Sequence, residues 1–117
     1  MEDILEKHQY FILLYDLYGG LLTPKQQNIF DLYYQNDYSI GEIAEELEIS
    51  RQAVFDALKR SESILKDYEQ KLALAAKEIY RKSIVQQMQV KLKAAEDSAL
   101  RRELLELLAK LEMTEGE

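Results

Sequence analysis

A chain of 117 residues with 15 basic and 22 acidic side chains carries a formal net charge of −7 and no cysteine. Disulfides and thiolate metal sites are therefore excluded, and the acidic balance opposes loose, nonspecific binding to nucleic acid. One proline and four glycines leave little turn chemistry, so an all-α fold of long helices around one modest core is expected.

The charge is uneven. Residues 1–50 hold 2 basic and 10 acidic side chains, residues 51–82 hold 8 and 5, and residues 83–117 hold 5 and 7. The basic middle permits a local contact with a polyanion. The acidic opening Met1-Glu2-Asp3 is unlike the basic start of a secretory leader, and the apolar run Phe11 to Tyr15 is too short to span a bilayer. A cytoplasmic protein with no membrane insertion is the expectation.

The first helix is expected from about Asp3 to Tyr18, with Ile4, His8, Phe11, Tyr15 and Tyr18 along one face. Gly19-Gly20 stops it. Thr23 as N-cap and Pro24 at the first helical position start the second, which places Ile29, Leu32 and Tyr33 inward before the polar break Asn36-Asp37. Ser39 with Glu42 three residues on forms a capping box for a short third helix, Ile40 to about Leu47. Glu48-Ile49-Ser50 is the turn, and Ser50 caps the next helix.

From Arg51 no glycine or proline occurs until Gly116. A helix from Arg51 to Ala95 would be roughly 65 Å long, too long for a domain of this size. Its near-heptad stripe includes Leu65, Tyr68, Leu72, Ala75 and Ile79, and the apolar phase shifts at Ile84-Val85. The helix either breaks and folds back or packs on a second chain. We expect a homodimer through that stripe. Asp97-Ser98 caps a last helix carrying Leu100, Leu104, Leu107, Leu108 and Leu111. The domains expected are a helical core over 1–66, a helical, dimerising extension over 67–112, and a flexible tail over 113–117.

Residues 39–60, SIGEIAEELEISRQAVFDALKR, carry a helix-turn-helix pattern. Ala44 is the small residue where the second helix crosses closely. Ile43, Leu47, Ile49, Val54 and Ala57 are the buried positions. The outward side of the second helix would enter the major groove. Here it presents Ser50, Arg51, Gln52, Phe55, Asp56, Lys59 and Arg60. Arg51 and Gln52 can each bond a base edge bidentately, and Phe55 can meet a thymine methyl or dock a protein. Lys59 and Arg60 suit phosphate, whereas Asp56 repels it. Glu48 stands where a glycine is usual and must take an unusual backbone angle.

Three phrases carry a resemblance: Leu22-Thr23-Pro24-Lys25-Gln26-Gln27, Tyr38-Ser39-Ile40-Gly41-Glu42-Ile43-Ala44 and Ile49-Ser50-Arg51-Gln52-Ala53-Val54. The segment Leu22 to Lys66 resembles region four of bacterial sigma factors. The whole chain, with its aromatic first helix, resembles the YlxM family of small Gram-positive proteins. That resemblance implies a regulator that binds double-stranded DNA, associated with the signal recognition particle pathway through that particle's protein or RNA. The alternative it leaves is an accessory of protein export that uses the helix-turn-helix as a scaffold.

Catalysis finds no support in the residues. His8 is the single histidine and no nucleophile and base stand in a recognisable pattern, so neither an enzyme nor a cofactor is expected. The tyrosines at helical spacing, Tyr10, Tyr15, Tyr18, Tyr33 and Tyr34, are expected in core or dimer packing.

Overall fold

The computed structural model describes residues 4–115, with side chains from 6 to 113. Met1-Glu2-Asp3, the side chains of Ile4 and Leu5, and the last residues of the expected tail lie outside the described residues. The described residues form six α-helices and no strand: α1 Ile4–Tyr18, α2 Pro24–Phe30, α3 Ile40–Leu47, α4 Arg51–Leu72, α5 Leu74–Ala94 and α6 Ala99–Glu115. None is long and apolar enough to cross a membrane. They fall into two compact units, Met1–Ala75 and Ala76–Glu117, so the division comes after the expected boundary at 66.

Side-chain caps start the helices where the sequence places them. Thr23 Oγ1 accepts the Gln26 N–H at 3.2 Å, and the Gln26 side chain accepts the Thr23 N–H at 2.9 Å. Ser39 and Glu42 repeat the arrangement on α3. Each box satisfies two backbone donors that a helix start otherwise leaves open. Gly19 ends α1 at a close approach: a Cβ there would stand 2.8 Å from the Tyr15 ring.

The first unit is built on the buried face of α1. Phe11, Leu14 and Tyr18 pack with Ile29 and Phe30 of α2, Ile43 and Ala44 of α3, and Val54, Leu58 and Leu65 of α4. Leu14, which the expected stripe passed over, is fully buried, while Tyr15 is only partly so. Tyr15 stacks on Phe30 at 4.5 Å between centroids, and Phe30 on Tyr34 at 4.3 Å. Full burial of an aromatic or leucine side chain contributes about 1.5–3 kcal/mol.

The structure places two features that the sequence did not locate. After α2 the backbone widens into a π-helical stretch, Asp31–Gln35, where the Asn36 N–H reaches back to the Asp31 carbonyl at 3.0 Å. The wide turn directs Tyr34 into the core, and Asp37 then takes a left-handed conformation with φ 59°. The second feature is the long helix. It breaks at Ala73, which sits at φ 54°, ψ 33°, ahead of the phase shift at Ile84-Val85. The cause is remote in sequence. Tyr18 Oη donates to Glu69 Oε1 at 2.7 Å and accepts the Leu74 N–H at 3.0 Å, while Glu69 Oε1 also takes the Ala75 N–H at 2.9 Å. A phenol from α1 and a carboxylate from α4 thus supply the start of α5.

In the second unit α5 and α6 run antiparallel. Arg101 Nε donates to the Leu92 carbonyl at 2.7 Å near the turn, and Gln89 donates to Glu112 at 2.6 Å farther along. Ser98 caps α6 by accepting the Arg101 N–H. No glycine or proline interrupts α6 before Gly116, so the segment expected as tail from Met113 is helical through Glu115.

Tyr18→Phe should lower the urea unfolding midpoint by an amount equivalent to about 0.5–1.5 kcal/mol, because the Leu74 N–H loses this acceptor and Glu69 loses one of its donors. Ala73→Gly should raise it by up to about 1 kcal/mol by relieving the left-handed strain.

Candidate nucleic-acid interface

The helix-turn-helix is assembled from α3, the turn Glu48 to Ser50, and the first turns of α4. Glu48 adopts φ 57°, ψ 44°, the left-handed angle expected of a residue in a glycine position. The Ile49 N–H then donates to the Ala44 carbonyl at 3.0 Å. Ser50 Oγ accepts the Ala53 N–H at 3.0 Å, so this serine is occupied as a cap. Ala44 is buried at the crossing, and Val54, Leu58, Ser61 and Leu65 bury the inner side of α4.

The remaining outward residues share one exposed side of α4. The Arg51 guanidinium lies against the bare Cα of Gly41 on α3, where a Cβ would stand 3.2 Å from Nη2. Gln52 Nε2 donates to Asp56 Oδ1 at 2.8 Å. A carboxylate only accepts, so this bond orients the amide. Phe55 is 42% exposed, with Lys59 Nζ 5.4 Å above its ring. Lys59 also pairs with Glu62 at 3.5 Å. Arg60 borders a shallow concavity of about 340 Å³ with Lys25, Gln26 and Asp56.

Residues distant in sequence complete the surface. Lys7, His8, Tyr33, Ile40, Phe55 and Lys59 line a cleft of about 270 Å³ beside α4. His8 Nε2 donates to the Tyr34 carbonyl at 2.7 Å, which fixes the ring against the cleft wall. Beneath it Tyr34 Oη donates to the buried Glu62 carboxylate at 2.5 Å. Burial and the neighbouring Glu62 raise the Tyr34 phenol well above its ordinary value. No spacing rule connects α1 to the outer side of α4, and the adjacent tyrosines Tyr33-Tyr34 were the one sequence signal for this cleft.

On the far side of the motif, α3 presents Glu42, Glu45, Glu46 and Glu48 with Tyr38 around an open concavity of about 530 Å³. The Ser39 N–H and hydroxyl hold the Glu42 carboxyl below its ordinary range. A phosphate chain would be repelled there, whereas Lys59 lies at the cleft beside His8 and Lys25 and Arg60 at the other concavity. Among the described residues no group of three or more acidic or histidine side chains is placed to hold a metal ion.

The expected dimer seam does not survive as one surface. Leu65 and Ala75 are buried in the core of their own chain, and Tyr68 is partly buried against it, stacked on Tyr18 at 5.9 Å. The break at Ala73 interrupts the heptad phase. Leu72 and Ile79 remain exposed.

Above pH 10 an unfolded tyrosine loses its proton before Tyr34 does in the fold. The stability contributed by the neutral buried phenol is present below pH 10 and is lost as pH rises further. Tyr34→Phe should lessen the fall in urea midpoint measured across that value. The part that remains comes from Tyr15, raised to about 12 by burial and by Asp31, and from Tyr10 and Tyr18, which burial and Glu69 also raise.

A family described as "Putative helix-turn-helix protein, YlxM / p13 like" matches residues 5–107. The chain is similar to the UPF0122 protein of Anoxybacillus flavithermus, 48% identical over 112 residues that cover 96% of this chain and 100% of the relative. It is also similar to that of Geobacillus kaustophilus, 48% identical over 89% of this chain and 99% of the relative. With that of Caldanaerobacter subterraneus it shares 62% identity over 58% of each chain.

Proposed function

Because the chain belongs to the YlxM/p13-like helix-turn-helix family, we propose that it is a cytoplasmic regulatory protein that binds double-stranded DNA through the first turns of α4. The observation that carries this reading is a single one. Arg51, Gln52, Phe55, Lys59 and Arg60 stand together on the exposed side of a helix whose opposite side is locked in the core. Arg51 and Gln52 lie in the first turn, the part of a recognition helix that meets base edges. The Gln52 amide, oriented by Asp56, keeps one N–H and its oxygen for the bidentate contact that adenine accepts. Asp56 thereby acts as a positioning residue, which offsets its repulsion of phosphate. Lys59 and Arg60 lie farther along the helix, toward the backbone.

The test is fluorescence anisotropy with duplexes selected from a random pool. Arg51→Ala combined with Gln52→Ala should abolish saturable binding, and undiminished binding would sink the assignment of α4. Lys59→Ala and Arg60→Ala should each weaken binding on all duplexes alike and reduce the slope of log K against log salt by about 1.

Phe55 favours a second reading, in which the motif is a scaffold for an accessory of protein export that meets the signal recognition particle's protein or RNA. An aromatic ring exposed at the mouth of the His8–Tyr33 cleft is the kind of anchor that protein interfaces use. Copurification of that particle's protein or RNA, insensitive to Arg51→Ala and lost with Phe55→Ala, would decide for it.

A further inference from the structure

The second unit leaves most of its apolar surface in water. Val85 and Leu108 are buried, but Met88, Leu104, Leu107 and Leu111 are exposed at 47%, 37%, 55% and 45%. These four, with Leu92 and the stem of Lys91, line one groove of about 400 Å³. Leu104, Leu107, Leu108 and Leu111 keep the helical 3–4 spacing, so the groove is a continuous stripe of α6 set beside α5. Exposed singly, such residues need no explanation, but a contiguous apolar stripe marks an interface. Two helices of this length form too small a body to bury a core unaided.

We infer that a second copy of this chain covers this groove, pairing α5 and α6 of each copy face to face as a four-helix bundle. Charge favours a like partner. Helix α5 carries Lys77, Arg81, Lys82, Lys91 and Lys93 against the single acid Glu78. Near the start of α6, Asp97 engages both Arg101 and Arg102, and beyond them Glu103, Glu106 and Glu112 outnumber Lys110. A two-fold pairing that lays α5 of one copy along α6 of the other sets basic against acidic on both sides. The size also suits a dimer. A face two helices wide, about 20 Å, and about 25 Å long spans roughly 500 Å² in projection, and the relief of its side chains brings the accessible area toward the contact of about 800 Å² per partner that a stable pair buries. This surface is separate from the stripe Leu65 to Ile79, and its pairing does not depend on what α4 binds.

The test is light scattering on a size-exclusion column with the full chain. The expected mass is twice 13.7 kDa at micromolar concentration. Leu107→Glu combined with Leu111→Glu should weaken self-association by about 100-fold or more, as loss of central apolar anchors does, and so return the mass to that of one chain. Both side chains are half exposed, so the helical circular dichroism should be unchanged, and a variant that retains it separates lost pairing from lost folding. Ile79→Glu, on the other stripe, should leave the dimer intact. A wild-type mass of one chain at high micromolar concentration overturns the inference and leaves the groove to a different protein. A dimer that Leu107→Glu with Leu111→Glu does not weaken overturns it as well.

Discussion

Helix α4 is held by two hydrogen bonds from phenol to carboxylate, Tyr34 to Glu62 and Tyr18 to Glu69. The phenols come from the π-helical stretch and from α1, so α4 is gripped by elements remote from it in sequence. Burying a carboxylate is costly unless its oxygens are satisfied. Once satisfied, such a bond specifies position as apolar contacts do not. The first grip lies beneath the outward residues Phe55 and Lys59 and sets how they are presented. The second decides where α4 stops. Both the candidate interface and the division into two units depend on these contacts.

Local signals made most of the first unit legible. The Thr23 and Ser39 capping boxes, the Ser50 cap, the Gly19 stop and the Glu48 turn are all expressed within four residues of chain, and the structure realises each of them. What was not legible depends on contacts over long separations. Ala73 is a good helix former, and nothing near it predicts a left-handed residue, because the groups that hold it there include Tyr18, fifty-six residues before Leu74. The burial of Leu14 and the π-helical stretch after Phe30 are likewise outcomes of packing, which overrides periodicity.

The candidate site divides along the same line. The row Arg51, Gln52, Phe55, Asp56, Lys59 and Arg60 was readable from the motif, because one helix face is a matter of spacing. What each residue engages was not. Ser50 is occupied as a cap, Arg51 leans on Gly41, and Asp56 holds Gln52. The cleft beside Phe55 needed α1, which lies outside any helix-turn-helix pattern. The stripe from Leu65 to Ile79 misled for a related reason: heptad spacing reports that residues share a face, and says nothing about whether the same chain or another covers it.

The junction at Ala73 has a consequence for how the chain acquires its fold. Between Arg51 and Ala94 no glycine, proline or turn-forming pair interrupts helix propensity, so before tertiary contacts form the local preference is for one uninterrupted helix. At the break between α4 and α5, Tyr18 is docked against Glu69 and Leu74. The N-terminal helix, synthesised first, supplies the hydroxyl that meets the end of α4 and the start of α5. The break at Ala73 thus rests on a contact from the first helix, and the order of synthesis makes that helix available in advance.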